Sequence, residues 1–312
     1  MTSSASPARP VLSLGDRIFS RSAVFAGSMI LVTLAAVAIF LIVQSMPAFV
    51  ATNETASLLP DNFWSYVWPL IFGTVWAAIL ALVISLPLAI GIALFISHYA
   101  PRKVSAVLGY IVDLLAAVPS VVFGLWGIGV LAPAVQPVYV WFTDNLGWFP
   151  LFGGVASGTG RTIFTAALVL GVMVLPIMTA ICREIFLQAP VLHEEAALAL
   201  GATRWEMIRM AVLPFGRPGI VSAAMLGLGR ALGETMAVAM VLSATGLVTF
   251  KLFTSENPST IAANIALSFP EAYGTNVNVL IATGLILFIV TFLVNALARW
   301  IVSRRAEFSG AN

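Results

Sequence analysis

Residues Gly219–Phe250, with the sequence GIVSAAMLGLGRALGETMAVAMVLSATGLVTF, decide how the rest of the chain is interpreted. Apart from Arg230 and Glu234 the stretch is apolar or small throughout, and it is long enough to cross a bilayer as a helix. At a rise of about 1.5 Å per residue, Arg230 lies about 17 Å from Gly219, near the middle of a hydrocarbon layer about 30 Å thick. Inserting an Arg at that depth costs about 2.5–3.5 kcal/mol. Because of this cost, an Arg at this position indicates a functional or structural role for the residue.

The spacing of Arg230 and Glu234 predicts that the two charges neutralise each other. In a continuous helix, residues four apart lie on the same face, and a charged face must contact protein or water rather than lipid. Two interpretations remain open. The pair is either a structural ion pair that fixes helix packing or the charged lining of a transport path. The polar segment that precedes this stretch favours the second interpretation.

The composition is that of a polytopic membrane protein. Hydrophobic residues make up 60% of the chain and charged residues only 9%, whereas a soluble domain carries about 25% charged residues. The single cysteine, Cys182, excludes an internal disulfide, and no Cys/His cluster indicates a metal. His98 and His193 are isolated, so neither is assigned a function. Since no His, Cys or Ser-base set converges, a membrane-embedded enzyme is disfavoured, and we predict neither catalytic residues nor a bound cofactor.

Six apolar runs predict six transmembrane helices and therefore an all-α fold. The predicted spans are residues 22–46, 68–97, 105–133, 163–187, 219–250 and 276–301. For the first run a signal peptide is the alternative, but the run exceeds the roughly 7–15 residues of a signal-peptide core and lacks a clear cleavage site. Within the third run, Pro119, Ser120 and Gly124 predict a helix break, which a membrane tolerates only against protein or a water-filled cavity. Long loops are predicted over residues 134–162 and 251–275.

The distribution of Lys and Arg predicts the orientation. Twelve of the fifteen fall on the side of the predicted topology that holds both termini. These are Arg9, Arg17, Arg21, Arg102, Lys103, Arg183, Arg204, Arg209, Arg217, Arg299, Arg304 and Arg305. The positive-inside rule therefore places both termini and residues 183–218 in the cytoplasm. The predicted organisation is an N-terminal tail (1–21), a first transmembrane helix with its external loop (22–67), a core (68–305) and a C-terminal tail (306–312).

The informative cytoplasmic segment is the elbow, residues 188–218, with the sequence QAPVLHEEAALALGATRWEMIRMAVLPFGRP. It predicts a short helix–turn–helix in which Gly201 ends the first helix and Thr203 caps the second. Pro214 and Pro218 are predicted to end the second helix before the fifth span. One interpretation is an interfacial loop on the lipid headgroups. The other is an amphipathic helix that docks in a groove of a cytoplasmic partner.

The elbow resembles the E-A-A-x3-G-x9-I-x-L-P signature of permease subunits of bacterial ABC importers, the binding-protein-dependent transport permease family. The matching residues are Glu195, Ala196, Ala197, Gly201, Leu213 and Pro214, and Ala211 stands where Ile is usual. The stretch GLGRALGETMAV (Gly227–Val238) is similar to the fifth-span motif of the PstC family, the permease subunits of the phosphate-specific importer. Residues Pro119–Trp126 and Gly158–Met178 also resemble the pattern of that family.

The resemblance implies a type I ABC importer permease fold in the bacterial inner membrane, and a subunit of an ATP-driven importer that moves phosphate from a binding protein into the cytoplasm. The implied partners are a PstA-like second permease, two copies of a PstB-like ATPase and an extracytoplasmic PstS-like phosphate-binding protein. Nucleic acid is not an expected partner. ATP is used by the ATPase subunits, because this chain has no nucleotide-binding motif.

The resemblance also implies roles for particular residues. In the family the elbow seats in the ATPase, which assigns that contact to Glu195, Ala196, Ala197, Gly201, Leu213 and Pro214. The fifth-span Arg and Glu of the family are implicated in phosphate translocation, which assigns the substrate path to Arg230 and Glu234. The breaks at Pro119, Ser120 and Gly124 are expected near that path.

Several alternatives stay open. The chain could be a permease for another oxyanion, sulfate or molybdate, although those permeases usually have an aromatic residue where Thr235 stands. It could be the partner phosphate permease, PstA, which has a similar Arg–Gly–Glu core followed by different residues. A more distant alternative is a secondary transporter or channel that works without ATPases, against which the elbow motif argues.

Overall fold

The structure, a computed structural model, describes residues 14–306 of the protein. Helices make up nearly all of its regular structure. Their bounds are Leu14–Phe49 (α1), Phe63–Leu94 (α2), Arg102–Ala116 (α3), Ser120–Trp126 (α4), Ala132–Leu146 (α5), Ile163–Leu187 (α6), Val191–Ala199 (α7), Arg204–Met207 (α8), Leu213–Leu232 (α9), Met236–Val241 (α10), Ile261–Ser268 (α11) and Thr275–Ala306 (α12). Three π-turns adjoin these helices, at Phe95–Tyr99, Gly127–Leu131 and Ile208–Val212. No strand forms within this range, so the predicted all-α class is confirmed.

Six helical stretches in the described part of the chain are long and apolar enough to cross a membrane, which confirms the predicted number of spans. They are Ile18–Phe49, Phe63–Tyr99, Ser120–Leu146, Ile163–Leu187, Arg204–Leu232 and Thr275–Trp300. Helix α1 begins at Leu14, so the last eight positions of the predicted tail over residues 1–21 are helical. Residues 1–13 and 307–312, which hold the rest of the two predicted tails, lie outside the described residues.

The third span differs from its prediction at both ends. The sequence predicts a span over residues 105–133, but α3 ends at Ala116 and a new helical run extends from Ser120 to Leu146. The boundary falls at Pro119, because the proline ring disfavours helical backbone in the residue before it. A span that begins later must also end later to cross the bilayer, so the predicted loop over residues 134–162 is wrong as far as Leu146.

The protein core is built around α6. In this helix 67% of the most apolar window is buried, whereas the corresponding window of α1 is 0% buried. Helix α2 packs along α6 and contributes the buried residues Ala77, Ala78 and Ala81 to the core. A Cβ on Gly171 of α6 would lie only 3.5 Å from the Ala81 carbonyl oxygen. Small residues therefore let the two backbones approach closely, while α1 packs against α12 outside this core.

The fifth span begins earlier than predicted, because Pro214 and Pro218 do not end the elbow helix. From α8 through the π-turn to the end of α9 the chain stays helical. Pro214 lies in the first turn of α9, and the π-turn before it bonds the Leu213 N–H to the Ile208 carbonyl, five residues back. This wider turn accommodates a proline whose ring would clash with the carbonyl four residues back in a regular α-helix.

The fifth span also ends earlier than predicted, because the helix breaks after Leu232. Residues 233–235 are not helical, and the separate helix α10 follows them. Gly233 weakens the helix by about 1 kcal/mol relative to Ala. The carboxylate of Glu234 then accepts a hydrogen bond from the backbone N–H of Ala237 at 3.1 Å, which starts α10 as a new helix. A single continuous helix over residues 219–250 is therefore a wrong prediction.

The far end of α10 is held by Arg161, which precedes α6. Its guanidinium donates hydrogen bonds to the carbonyl oxygens of Met240, at 3.0 Å, and Val241, at 3.4 Å. These two residues are the last of α10. A cation at a helix C-terminus satisfies carbonyl groups that have no partner within the helix and complements the helix dipole.

The fully buried residue Asn257 joins three backbone segments around α10. Its Oδ1 accepts from the backbone N–H of Ile163 at 2.9 Å. Its Nδ2 donates to the carbonyl oxygens of Arg161, at 3.3 Å, and Ser243, at 3.1 Å. One side chain thus links the first residue of α6, Arg161 two positions before it, and the segment after α10.

Replacing Asn257 with Ala is expected to lower the free energy of unfolding by about 1–3 kcal/mol, because buried backbone groups lose their partners. Thermal unfolding of the detergent-solubilised protein measures the change. Asn145→Ala is the matched control, since Asn145 is exposed and donates to the Trp141 carbonyl of its own helix. That variant is expected to change stability by no more than about 0.5 kcal/mol. Equal unfolding temperatures for the two variants would mean that the Asn257 network does not stabilise the protein.

Candidate functional site

Arg230 lies in the last turn of α9, and its side chain lines a cleft formed by α6, α9 and α12. Its Nε atom is buried, and no residue between positions 14 and 306 offers it a hydrogen-bond acceptor. A buried donor left without a partner costs about 1–3 kcal/mol, and more when the group is charged. Buried polar groups are nearly always paired in proteins, so Arg230 marks a candidate binding position for an anion.

The cleft that contains Arg230 has a volume of about 1380 Å³. Its polar lining residues are Ser222, Arg230, Thr291, Asn295 and Arg299. Along α9 it extends from Pro218 to Arg230, which is about 18 Å at 1.5 Å per residue. No group of three or more His, Cys, Asp or Glu side chains within the described ranges could hold a metal ion. The cleft therefore offers hydrogen-bond donors and positive charge to a ligand.

Glu234 is close to Arg230 in sequence but does not pair with it. Other residues form the ion pairs of the described structure. The prediction that the two charges neutralise each other on one helix face is wrong, because α9 ends at Leu232 and the i, i+4 geometry is lost. The Glu234 carboxylate accepts from the Ala237 N–H instead, so its observed contact is with the backbone of α10.

The three residues predicted to break the third span lie at the start of α4 and within it. Pro119 is the N-cap of α4 and Ser120 its first residue, so a helix boundary lies here. Gly124 is inside α4 and breaks no helix. A Cβ at this position would lie 3.0 Å from the Cα atom of Ala237, so its lack of a side chain lets α4 pack closely on α10. A role for these residues in a substrate path stays a prediction.

The elbow motif falls into two groups of residues. The group in α7 and the turn after it is Glu195, Ala196, Ala197 and Gly201, and the group at the start of α9 is Leu213 and Pro214. Helix α7 has no buried residue, so its surface is available to a partner. Gly201 has a φ of +87°, the left-handed conformation with which glycine ends a helix, as predicted. Thr203 caps α8 as predicted, in a reciprocal capping box with Glu206.

Three polar residues that hold the structure together carry no clear signal in the sequence. Arg161 and Asn257 hold α10, and Nε2 of His98 lies 3.3 Å from Oε1 of Glu194 in α7. Arg161 and His98 are 79 and 96 positions from these partners, so local spacing cannot reveal the contacts. The interpretation of His98 as isolated is therefore wrong.

Known proteins similar to this chain are membrane components of transport systems. Residues 85–307 match the family described as "Binding-protein-dependent transport system inner membrane component". The chain is 48% identical over 306 residues to "Phosphate transport system permease protein PstC 2" of Mycobacterium tuberculosis, with 94% of this chain and 93% of that protein covered. It is 38% identical over 310 residues to "Phosphate transport system permease protein PstC" of Mesorhizobium japonicum, with 96% and 93% covered.

The fold is similar to that of solved ABC transporter chains. One belongs to the crystal structure of a bacterial ABC transporter involved in the import of the acidic polysaccharide alginate, with a TM-score of 0.60, 18% identity, and 92% of this chain and 99% of that chain covered. Another, from the alginate transporter in complex with its alginate-bound periplasmic protein, has a TM-score of 0.58, 19% identity, and 96% and 99% covered. The family match extends over more than two thirds of the chain. This chain therefore belongs to the family of binding-protein-dependent transport system inner membrane components and has the type I ABC importer permease fold.

Proposed function

We propose that this chain is the PstC-like permease subunit of an ATP-driven importer that moves inorganic phosphate from an extracytoplasmic binding protein into the cytoplasm. The observation that carries the proposal is the Arg230 guanidinium, which lines the cleft and whose buried Nε has no partner in the described chain. Phosphate as the substrate is supported by the names of relatives that are 38% and 48% identical over nearly the whole chain.

Phosphate suits this cleft in charge and in geometry. A guanidinium stays charged at physiological pH and can donate paired N–H bonds to two oxygens of one oxyanion. The side chains of Ser222, Thr291 and Asn295 supply further hydrogen-bonding groups along the walls. Since no carboxylate between residues 14 and 306 pairs with Arg230, an anion can bind there without first displacing an ion pair. This replaces the sequence-based prediction that Glu234 neutralises Arg230.

Arg299 gives the cleft a second cation, which supports a direction for transport. The fifth and sixth spans are consecutive and cross the membrane in opposite directions, so Arg299, near the end of α12, belongs to the side at which α9 begins. Arg230 belongs to the other end of α9. The positive-inside rule assigns the Arg299 side to the cytoplasm. An anion released from Arg230 would therefore move towards a second positive group on the cytoplasmic side.

The proposed transporter contains a PstA-like second permease, two PstB-like ATPase subunits and a PstS-like phosphate-binding protein. Both termini and the elbow are proposed to be cytoplasmic, with the exposed surface of α7 in contact with an ATPase subunit. On the opposite side, residues 147–162 and 242–260 are proposed to contact the binding protein. Trp148 and Phe250, which are 79% and 57% exposed, are the two most exposed aromatic side chains of these segments.

The continuous helix from Arg204 to Leu232 supports a simple route for coupling. The part of the elbow from Arg204 onward and the Arg230 position belong to one continuous helix, about 39 Å from Arg204 to Arg230, since the π-turn before Pro214 does not interrupt it. A displacement of the elbow by the ATPase would therefore reach the cleft without being absorbed at a proline hinge.

Proteoliposomes that contain this chain with its three partner proteins are expected to accumulate radiolabelled phosphate only when ATP is supplied. Excess unlabelled phosphate should abolish the uptake of label, whereas excess sulfate or molybdate should leave it unchanged. Competition by sulfate or molybdate at the level of phosphate would assign the chain to another oxyanion. Accumulation without ATP would assign it to the secondary transporters or channels.

Arg230→Ala is expected to reduce phosphate uptake by about 100-fold, because two charge-assisted hydrogen bonds to the anion are lost. Assembly of the complex should not change, since Nε has no partner in the described chain. Arg230→Lys should be intermediate, because it keeps the charge but not the paired donors. Arg217→Ala is the matched control, an exposed Arg of the same helix outside the cleft. Uptake by Arg230→Ala at the level of this control would remove Arg230 from the path.

Gly201→Val is expected to uncouple ATP hydrolysis from phosphate uptake. A side chain at a φ of +87° strains the turn by about 1–2 kcal/mol and changes the angle between α7 and α8. The measurement is phosphate imported per ATP hydrolysed in proteoliposomes. Gly91→Val is the control, because Gly91 is an exposed helical glycine with no atom near its Cβ position. An equal ratio in the two variants would separate the Gly201 turn from coupling.

A further inference from the structure

We propose that His98 is a positioning residue that ties the first helix of the elbow, α7, to the end of the second span. The inference rests on the proposed function, because it gives His98 a part in coupling ATP hydrolysis to transport. Nε2 of His98 lies 3.3 Å from Oε1 of Glu194, and the two side chains are 9% and 20% exposed. The ion pair Lys251–Glu256, by comparison, joins near neighbours at the surface. The His98 contact therefore differs in linking two distant segments in a largely enclosed place.

The π-turn Phe95–Tyr99 orients the imidazole of His98. The turn inserts one residue, which rotates the side chains after it by about 100° relative to α2. Inside the turn, Oγ of Ser97 lies 2.6 Å from Nδ1 of His98. From outside, the Ser105 hydroxyl donates to a carbonyl of the turn at 2.8 Å. The Nδ1 edge of the ring, which faces away from Glu194, is therefore held by Ser97 within a turn that Ser105 stabilises.

The contact is compatible with both protonation states of His98. When the imidazole is neutral, the Ser97 hydroxyl donates to Nδ1 and the Nε2–H donates to Glu194. When the imidazole is charged, the Nδ1–H donates to Ser97, whose own hydroxyl then points to the Leu94 carbonyl, 3.4 Å away. Nε2 donates to the carboxylate in both cases. The contact between Nε2 and Glu194 is therefore kept in either protonation state.

Helix α7 packs on α8 and on the π-turn Ile208–Val212, both within the elbow, and the His98 contact joins it to a different span. None of its nine residues is buried, and Pro190 at its N-cap provides no side-chain hydrogen bond. Glu194 directly precedes Glu195, the first residue of the motif assigned to the ATPase contact. Through His98, a force on α7 reaches α2, which packs along α6 in the centre of the protein.

The test uses the complete transporter in proteoliposomes, with phosphate imported per ATP hydrolysed as the first readout. His98→Ala and Glu194→Ala are each expected to lower this ratio by about tenfold, which corresponds to one hydrogen bond to a charged group. The double variant should be no worse than either single one, because the contact is lost only once. Glu194→Gln should retain most of the ratio, since it keeps an acceptor for the Nε2–H. The control for this ratio is Thr33→Ala, which should change nothing, because Thr33 is an exposed residue of α1 whose hydroxyl donates to the Met29 carbonyl of its own helix. His193→Ala, which removes the exposed histidine beside Glu194, is kept as the control for hydrogen exchange.

Amide hydrogen exchange of residues 191–199 is the second readout, and it does not depend on transport. Exchange in α7 should be faster in His98→Ala and Glu194→Ala than in His193→Ala, because the helix opens more often without its tie. If the unmodified transporter imports no phosphate but exchange still changes in this way, the proposed function fails and the tie stands. Unchanged exchange in His98→Ala, or additive losses in the double variant, would overturn the tie.

Discussion

The hydrogen bonds at the two ends of α10 are the interactions on which the candidate site depends. In a membrane a broken helix exposes backbone groups that water cannot satisfy, so the protein must supply their partners. Glu234 supplies an acceptor at the start of α10, and Arg161 supplies donors at its end. With both ends satisfied, the fifth span can stop at Leu232. The cleft then has Arg230 at a helix end instead of in the middle of a rod.

The position of Arg230 explains how the chain tolerates a guanidinium without a carboxylate partner. The C-terminal end of a helix carries a partial negative charge, which favours a cation in the last turn. A permanent ion pair would have satisfied the charge more fully, but it would also have competed with an anionic ligand. A partial compensation by backbone dipoles leaves the donors of the guanidinium available. The same break that gives Glu234 a backbone partner thus keeps it away from Arg230.

Sequence patterns predicted those features that depend on neighbouring residues. Apolar runs identified six spans, Gly201 identified the end of α7, and Thr203 identified the start of α8. They did not predict the separate helix α10 that follows the fifth span, because its end is held by Arg161, which is 79 positions away from its partner Met240. Pro214 was wrongly predicted to end the elbow helix. The π-turn that accommodates its ring has no recognisable pattern in the local sequence.

The unequal burial of the six spans has a consequence for how this protein can vary in evolution. The apolar window of α1 is 0% buried, so the side chains in this window can be exchanged for others of different shape as long as they remain apolar. In α6, 67% of the corresponding window is buried, so most of its side chains must also fit the space between neighbouring helices. Sequence change in α1 is therefore limited by the polarity of the new side chain, whereas sequence change in α6 is limited by its volume.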